Sequence, residues 1–260
     1  MHASHRESDS ADRSAADDGA SRDALLGEVR RLRRQLQLRD DMREHFLAMA
    51  SHELRTPLTA IYGFASTLRE RWDALPERSR LEYVVIIEQQ ADRLAGLVAD
   101  ILTMSRIDGG RMPIRARAVD VRLPAEHAIA SVGARDVSLV CAAPIEVLAD
   151  EVLLERALRK LISNALKHGA EPVTVEAVAL DGLVELRVRD HGPGVPAAFE
   201  PMLFEAGLQM PTPAEPDPTG IGLGLALAQR LVEAQQGTVR YERAEPSGAC
   251  FVVSMPAAEQ

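Results

Sequence analysis

Aromatic side chains are scarce in this 260-residue chain: five Phe, three Tyr and one Trp, 3% of the total. Since 46% of the residues are still hydrophobic, the interior must be built from Leu, Val, Ile and Ala, as in helical bundles and helix-on-sheet layers. Cysteine is nearly absent. Cys141 and Cys250 stand far apart and in no metal-like spacing, which argues against a disulfide or zinc framework and suits a reducing compartment. No apolar run approaches the roughly 18 residues needed to cross a bilayer, and the polar start from Met1 to Ser21 has no signal-peptide core, so the expected location is the cytoplasm. Positive charge is in deficit, 30 basic against 39 acidic residues for a net charge of −9. A phosphate backbone selects for concentrated positive charge, so a nucleic-acid binder is not expected, and the acidic excess is read as solubility. Lysine occurs only twice, as Lys160 and Lys167.

The pattern changes several times along the chain. Residues 1–21 are polar and low in large apolar side chains, so they cannot offset ordering entropy and are expected to form a disordered tail. In 22–45, Leu25, Val29, Leu32 and Leu36 mark a helix with a narrow apolar seam, as in a signalling coiled coil, and Leu38, Met42 and Phe46 continue it on a shifted line that resembles a stutter. A second periodic stretch runs through Leu81, Val84, Ala91, Leu94, Val98 and Ile101, with a turn at Asp73-Ala-Leu-Pro76 before it. Residues 46–106 therefore read as a helical hairpin, whose narrow seams call for a second copy in a dimeric four-helix bundle.

Asp108-Gly109-Gly110 ends the hairpin and opens a linker over 107–118. From 119 to 257 the grammar is mixed. Helices are expected over 121–130, 151–168 and 222–235, and extended segments within 138–147, at 173–178, 183–188, 238–241 and 250–255, with Asp181-Gly182 as a hairpin turn. This is an α/β sandwich with helices on one face of a largely antiparallel sheet, and the fold class of the whole is multidomain, α followed by α+β.

Four strings carry chemistry. In Phe46-Leu-Ala-Met-Ala-Ser-His52-Glu53-Leu-Arg-Thr56-Pro57-Leu-Thr, His52 and Thr56 share a helix face while Met49, Leu54, Leu58 and Ile61 supply apolar neighbours, so His52 can face solvent. An exposed imidazole is substantially neutral at cellular pH and keeps a ring nitrogen free to attack phosphorus, and Glu53 can take up a ring proton as a general base. On the helix after Asp150, Lys160, Asn164 and Lys167 line one face, with His168 less directly placed. An amide oxygen and an ammonium suit a Mg-triphosphate, with Asn164 on the metal and Lys167 on phosphate oxygens, although a solvated helix face has the same spacing. Asp190-His-Gly192-Pro-Gly194-Val-Pro196 follows a strand, where a carboxylate can accept from an exocyclic amine, but a plain turn reads alike. Gly220-Ile-Gly222-Leu223-Gly224-Leu opens a helix and forms either an anion site or a flexible hinge.

In this order the four strings closely resemble the sensor histidine kinases of two-component systems. The first is similar to their phosphoacceptor box, the second to the asparagine box of the gyrase-type (GHKL) ATP-binding fold, and the last two to its glycine boxes. The resemblance covers roughly residues 40–257. It implies that His52 is the phosphorylated residue, that Glu53 assists, and that Thr56 positions water when a partner regulator is dephosphorylated. It further implies that Asn164, Lys167 and His168 serve ATP and Mg2+, that Asp190 with Gly192 and Gly194 holds the adenine, and that Gly220, Gly222, Leu223 and Gly224 border the phosphates. Expected partners are a second copy of the chain and a response regulator's receiver domain, whose aspartate takes the phosphoryl group. If the stimulus is external, a separate sensor protein must detect it.

Three features depart from the family pattern. Lys160 stands where an Asn is usual, the Phe204-Glu205-Ala-Gly207 box lacks its second Phe, and the loop 208–219 has neither Lys nor Arg. Lys160 either replaces a lid cation by reaching the triphosphate, or is a solvated or weakening residue. Two rival readings are accordingly kept: a GHKL ATPase that uses water as acceptor, and a degenerate kinase acting as phosphatase or scaffold.

Overall fold

The computed structural model describes residues 48, 50–134, 136–208 and 222–258. The chain divides into two compact units, Met1–Ala48 and Met49–Gln260, and the architecture below belongs to the second. The tail expected over 1–21, the helix over 22–45, Phe46, Met49, Gly220 and nearly all of the Lys/Arg-free loop lie outside the described residues.

Helix α1 spans 50–71, passing through Pro57 without interruption. A 3-10 turn at Trp72–Ala74 and the extended Leu75 and Pro76 reverse the chain, and α2 follows over Glu77–Asp108. Thirty-two residues at 1.5 Å each make α2 roughly 48 Å long. At the closed end the rings of Phe64 and Tyr83 lie 5.0 Å apart, and the Arg80 guanidinium sits 5.0 Å over the Trp72 ring. Leu68 is buried inside the hairpin, whereas Leu58, Leu81, Val84, Val85, Val98 and Leu102 remain exposed. Three of the positions read as a seam, Leu81, Val84 and Val98, thus stay uncovered within one chain. The helix stops at Gly109 and Gly110, the latter at φ 62°.

Beyond the linker come β1 (Arg117–Asp120), α3 (Arg122–Val132), β2 (Val137–Val140), β3 (Glu146–Ala149), α4 (Glu151–His168), β4 (Val173–Leu180), β5 (Leu183–Arg189), α5 (Gly224–Glu233), β6 (Thr238–Arg243) and β7 (Ala249–Pro256). β1 and β3 pair antiparallel in a sheet of two, and the main sheet has the order β2-β4-β5-β7-β6. Only the β2–β4 pair is parallel. Two expectations need correction. The linker ends earlier than 118 because β1 begins at Arg117, and the extended stretch expected within 138–147 is two strands belonging to different sheets.

Alternation of side chains makes the core. Val175, Val188 and Phe251 stand opposite one another, as do Ala177, Leu186 and Val253, and these two rows face the helices. Against them α4 buries Leu153, Leu154, Ala157, Leu158, Leu161, Ile162 and Ala165. Each large side chain so buried is worth roughly 1.5–3 kcal/mol. Asp150 caps α4, its side chain accepting from the amides of Val152 and Leu153, which explains why the helix begins at Glu151.

The opposite face of the sheet carries a polar cluster. Glu185 is buried, accepting from Arg187 at 2.7 Å and from Arg240 at 2.7 Å. The bond from Arg187, then that from Arg240, holds its carboxyl below the usual range against the opposing effect of burial. A depressed folded pKa contributes stability that is present above the unfolded carboxylate's pKa and lost as pH falls through the lower folded one. Chemical denaturation between about pH 7 and pH 3 should therefore show a shallower acid loss for Glu185→Gln than for the parent protein. Parallel losses in the two would contradict this role.

Candidate active site

The first half of the site is on α1. His52 has a side chain 75% exposed, while its neighbour Glu53 is buried. Glu53 lies between two cationic or potentially cationic groups: one oxygen is 3.6 Å from His52 Nδ1 and the other 3.6 Å from the Arg93 guanidinium on α2. Thr56, one turn on, donates to the His52 carbonyl at 3.4 Å. The hairpin thus offers an open imidazole backed by a carboxylate that is itself anchored from the second helix. Arg93 could not be read from the sequence, because its relation to Glu53 exists only once the hairpin closes.

The second half is a cleft at the edge of the sandwich. Asn164, His168, Gly169, Asp190, Gly194, Val195, Leu203, Leu225, Ala249 and Phe251 line it. Asp190 is buried at the end of β5, and one of its oxygens accepts from the amides of Gly192 at 2.8 Å and Ala249 at 3.1 Å. Both bonds use Oδ1, which leaves the chemistry of Oδ2 to whatever enters the cleft. The apolar lining beside a single aimed carboxylate suits a flat heterocycle with an amino group. The cleft is narrow in this conformation, about 40 Å3. A larger groove of about 800 Å3 runs along α2 from Glu77 to Gln89, but it is lined by the hairpin alone and gathers none of the residues singled out above.

Cationic charge gathers around Lys167 near the end of α4. Partial burial, then the neighbouring Lys160 and Arg93 charges, pull the Lys167 ammonium below its ordinary pKa. At the other wall, Leu223 is buried ahead of α5, Gly222 takes φ 65°, and Gly224 is the first residue of that helix. Of the residues singled out in the sequence, Asn164, His168, Asp190 and Gly194 line the cleft, and Leu225, directly after Gly224, lines it too. Val195, Leu203, Leu225 and Phe251 were missed, since apolar lining residues look like any other core.

Residues 42–110 match the family described as the His Kinase A (phospho-acceptor) domain, and residues 149–259 the one described as the histidine kinase-, DNA gyrase B- and HSP90-like ATPase. The chain belongs to the sensor histidine kinases of two-component systems. An uncharacterised sensor-like histidine kinase of Rhizobium meliloti is 34% identical over 227 residues, covering 84% of this chain and 43% of that protein. KdpD of Mycobacterium tuberculosis is likewise 34% identical, over 230 residues and 26% of its length, so the chain spans less than half of these curated relatives. Among solved structures, full-length ShkA in complex with AMPPNP is 30% identical with a TM-score of 0.58, covering 84% of this chain and 46% of that one. The Acinetobacter baumannii histidine kinase AdeS, 22% identical, shares the fold with a TM-score of 0.63 over 80% of this chain and 98% of its own. Among the described residues, no helix is long and apolar enough to cross a membrane.

One family departure has a partner that the sequence did not show. Lys160 neither points free into solvent nor lines the cleft: its ammonium lies 2.5 Å from Asp100 on α2, and its side chain is 25% exposed.

Proposed function

We propose that this chain binds Mg-ATP in the sandwich cleft and transfers the γ-phosphoryl group to His52, and that the phosphoryl group then passes to an aspartate of a response-regulator receiver domain. The supporting observation is the His52 imidazole, open to solvent on one side and faced at Nδ1 by the buried Glu53 carboxylate. That pairing assigns the atoms. Nδ1 carries the proton, so the Nε2 lone pair is the nucleophile; as the N–P bond forms and the bond to the ADP oxygen breaks, the Nδ1 proton passes to Glu53. A separation of 3.6 Å is longer than a hydrogen bond and must shorten in the reacting complex. Arg93 holds the carboxylate from the side of α2.

In the cleft, Asp190 accepts from the adenine amino group and Lys167 faces the phosphates. No cluster of three acidic, His or Cys side chains capable of holding a metal occurs among the described residues. A lone amide oxygen at Asn164 nonetheless fits Mg2+, which keeps several waters and takes the rest of its ligands from phosphate. When bound it supplies charge neutralisation at the transferring group; the chain's own residues position the reactants. Thr56, a turn from His52, is placed to orient water for the reverse duty of dephosphorylating the regulator. Residues 46–106 act as the phosphoacceptor hairpin and the segment after β1 begins as the catalytic domain. A second copy of the hairpin covers the exposed Leu81, Val84, Val98 and Leu102, giving a four-helix dimer.

Incubation with γ-labelled ATP tests the reading. The expected product is an acid-labile, base-stable adduct absent from His52→Ala. Release of free phosphate without retained label would assign an ATPase instead, and no turnover combined with Thr56-dependent dephosphorylation of a regulator would assign a phosphatase.

A further inference from the structure

Asp100 is a carboxylate that the mechanism above does not use. It lies on α2, its side chain only 10% exposed, and it is held from α4 by two cations: Arg156 at 3.0 Å on one oxygen and Lys160 at 2.5 Å on the other. Arg156 continues into the same turn of α2, donating to the Thr103 hydroxyl at 2.8 Å and to the Ala99 carbonyl at 3.2 Å. Thr103 in turn donates to Ala99 at 2.7 Å. Both carboxylate oxygens of Asp100 and the Thr103 hydroxyl are therefore met from a helix fifty to sixty residues away in sequence. Removing one partner of such a shielded pair leaves the other charge uncompensated.

What the pairing fixes is visible seven residues away on each helix. Counting back from Asp100 reaches Arg93; counting forward from Lys160 reaches Lys167, and Arg93 is close enough to Lys167 to depress its ammonium. Arg156 reaches Thr103, and Lys160, one turn further along α4, reaches Asp100, one turn back along α2, so the two helices run antiparallel where they meet, and seven residues more make roughly 10.5 Å along either of them. Arg93 also meets Glu53, the residue behind His52. The register set at Asp100 thus brings the Asn164 and Lys167 end of the nucleotide helix level with the phosphoacceptor.

We propose that Asp100, Arg156 and Lys160 form a docking clamp that holds the nucleotide helix in the register from which the phosphoryl group reaches His52; the proposal rests on the kinase reading above. In this chain the family-atypical Lys160 is a positioning residue that acts through Asp100, and the triphosphate is left to Lys167.

Asp100→Asn, which keeps the shape, and Lys160→Met are the test variants, measured for ATP affinity and for the rate of His52 labelling at saturating ATP. Asp100→Asn is expected to leave ATP affinity within about threefold and to slow labelling by about 10- to 100-fold, the size of effect expected from a misplaced reactant. Lys160→Met should show the same split, and the double variant should be little worse than Asp100→Asn alone. A readout that needs no catalysis accompanies these: trypsin cleavage after Arg111 and Arg115, in the linker between α2 and β1, should quicken in Asp100→Asn as the sandwich comes loose. A tenfold loss of ATP affinity in Lys160→Met, or labelling at the parent rate or above in Asp100→Asn, would overturn the clamp. If the parent protein does not label His52 at all, the kinase reading fails by itself; unchanged cleavage would then overturn the clamp, and faster cleavage would uphold the contact.

Discussion

Replacing Asp190 by Asn is expected to abolish useful ATP binding while leaving the fold in place. The change is isosteric, and Asn Oδ1 can still accept from the Gly192 and Ala249 amides, so the two buried donors stay satisfied. What changes is the atom facing the cleft. An acceptor becomes an NH2 donor, which opposes the adenine amino group where the carboxylate would have accepted from it. Losing a charge-assisted bond of roughly 1.5–3 kcal/mol and adding a donor–donor conflict should weaken ATP by about 100-fold or more. Calorimetric titration checks the affinity, and thermal unfolding checks that the midpoint has barely moved. Asp190→Ala is a useful contrast, because it strands both amides and should lose stability as well as affinity. Parent-like affinity in Asp190→Asn would place the adenine elsewhere.

Gly248→Ala should do damage from behind the site. The residue adopts φ 115°, and a Cβ there would lie 2.0 Å from the Asp190 carbonyl oxygen and 2.8 Å from its carbon. Backbone cannot retreat as a side chain can. Ala249, next along, exchanges hydrogen bonds with Asp190 in both directions, so relief of the clash moves the carboxylate itself. Strain of about 1–3 kcal/mol and a clash of similar size should lower the unfolding midpoint by about 5–15 °C and weaken ATP binding together. Gly182→Ala separates the two contributions. Gly182 has φ 76° in the β4–β5 turn but nothing within 4 Å of a Cβ, so that variant should show the strain alone, with ATP binding intact. Equal effects at the two glycines would contradict the close approach.

These positions also show where the sequence was informative. Helix α4 was legible to the residue because Asp150 is a capping side chain and the apolar period behind it is unbroken. The β4–β5 hairpin was legible from two alternating runs joined by Asp-Gly. Strand β1 was not: Arg117-Ala-Val-Asp is four residues with one buried side chain, Val119, too short to display alternation. At the site, Asp190 stood out because glycines follow it directly, whereas Gly248 matters only through its contact with a strand nearly sixty residues earlier. The same limit governs Lys160. Its spacing from Asn164 and Lys167 suggested one helix face, but a face says nothing of what lies across from it, and Asp100 is on a helix sixty residues away. Arg93 and Arg156 belong to the same class: arginines among many, given their roles by Glu53 across the closed hairpin and by Asp100 across from α4.

The account stands on one transfer, from nucleotide in the sandwich to the open imidazole of α1. Mass-spectrometric mapping of the protein after incubation with Mg-ATP, kept at neutral to basic pH, measures it directly. A phosphoryl group on His52, missing from the Asp190→Asn variant, is the expected result. ATP consumed with His52 left unmodified, or a phosphoryl group carried by any other residue, would contradict it.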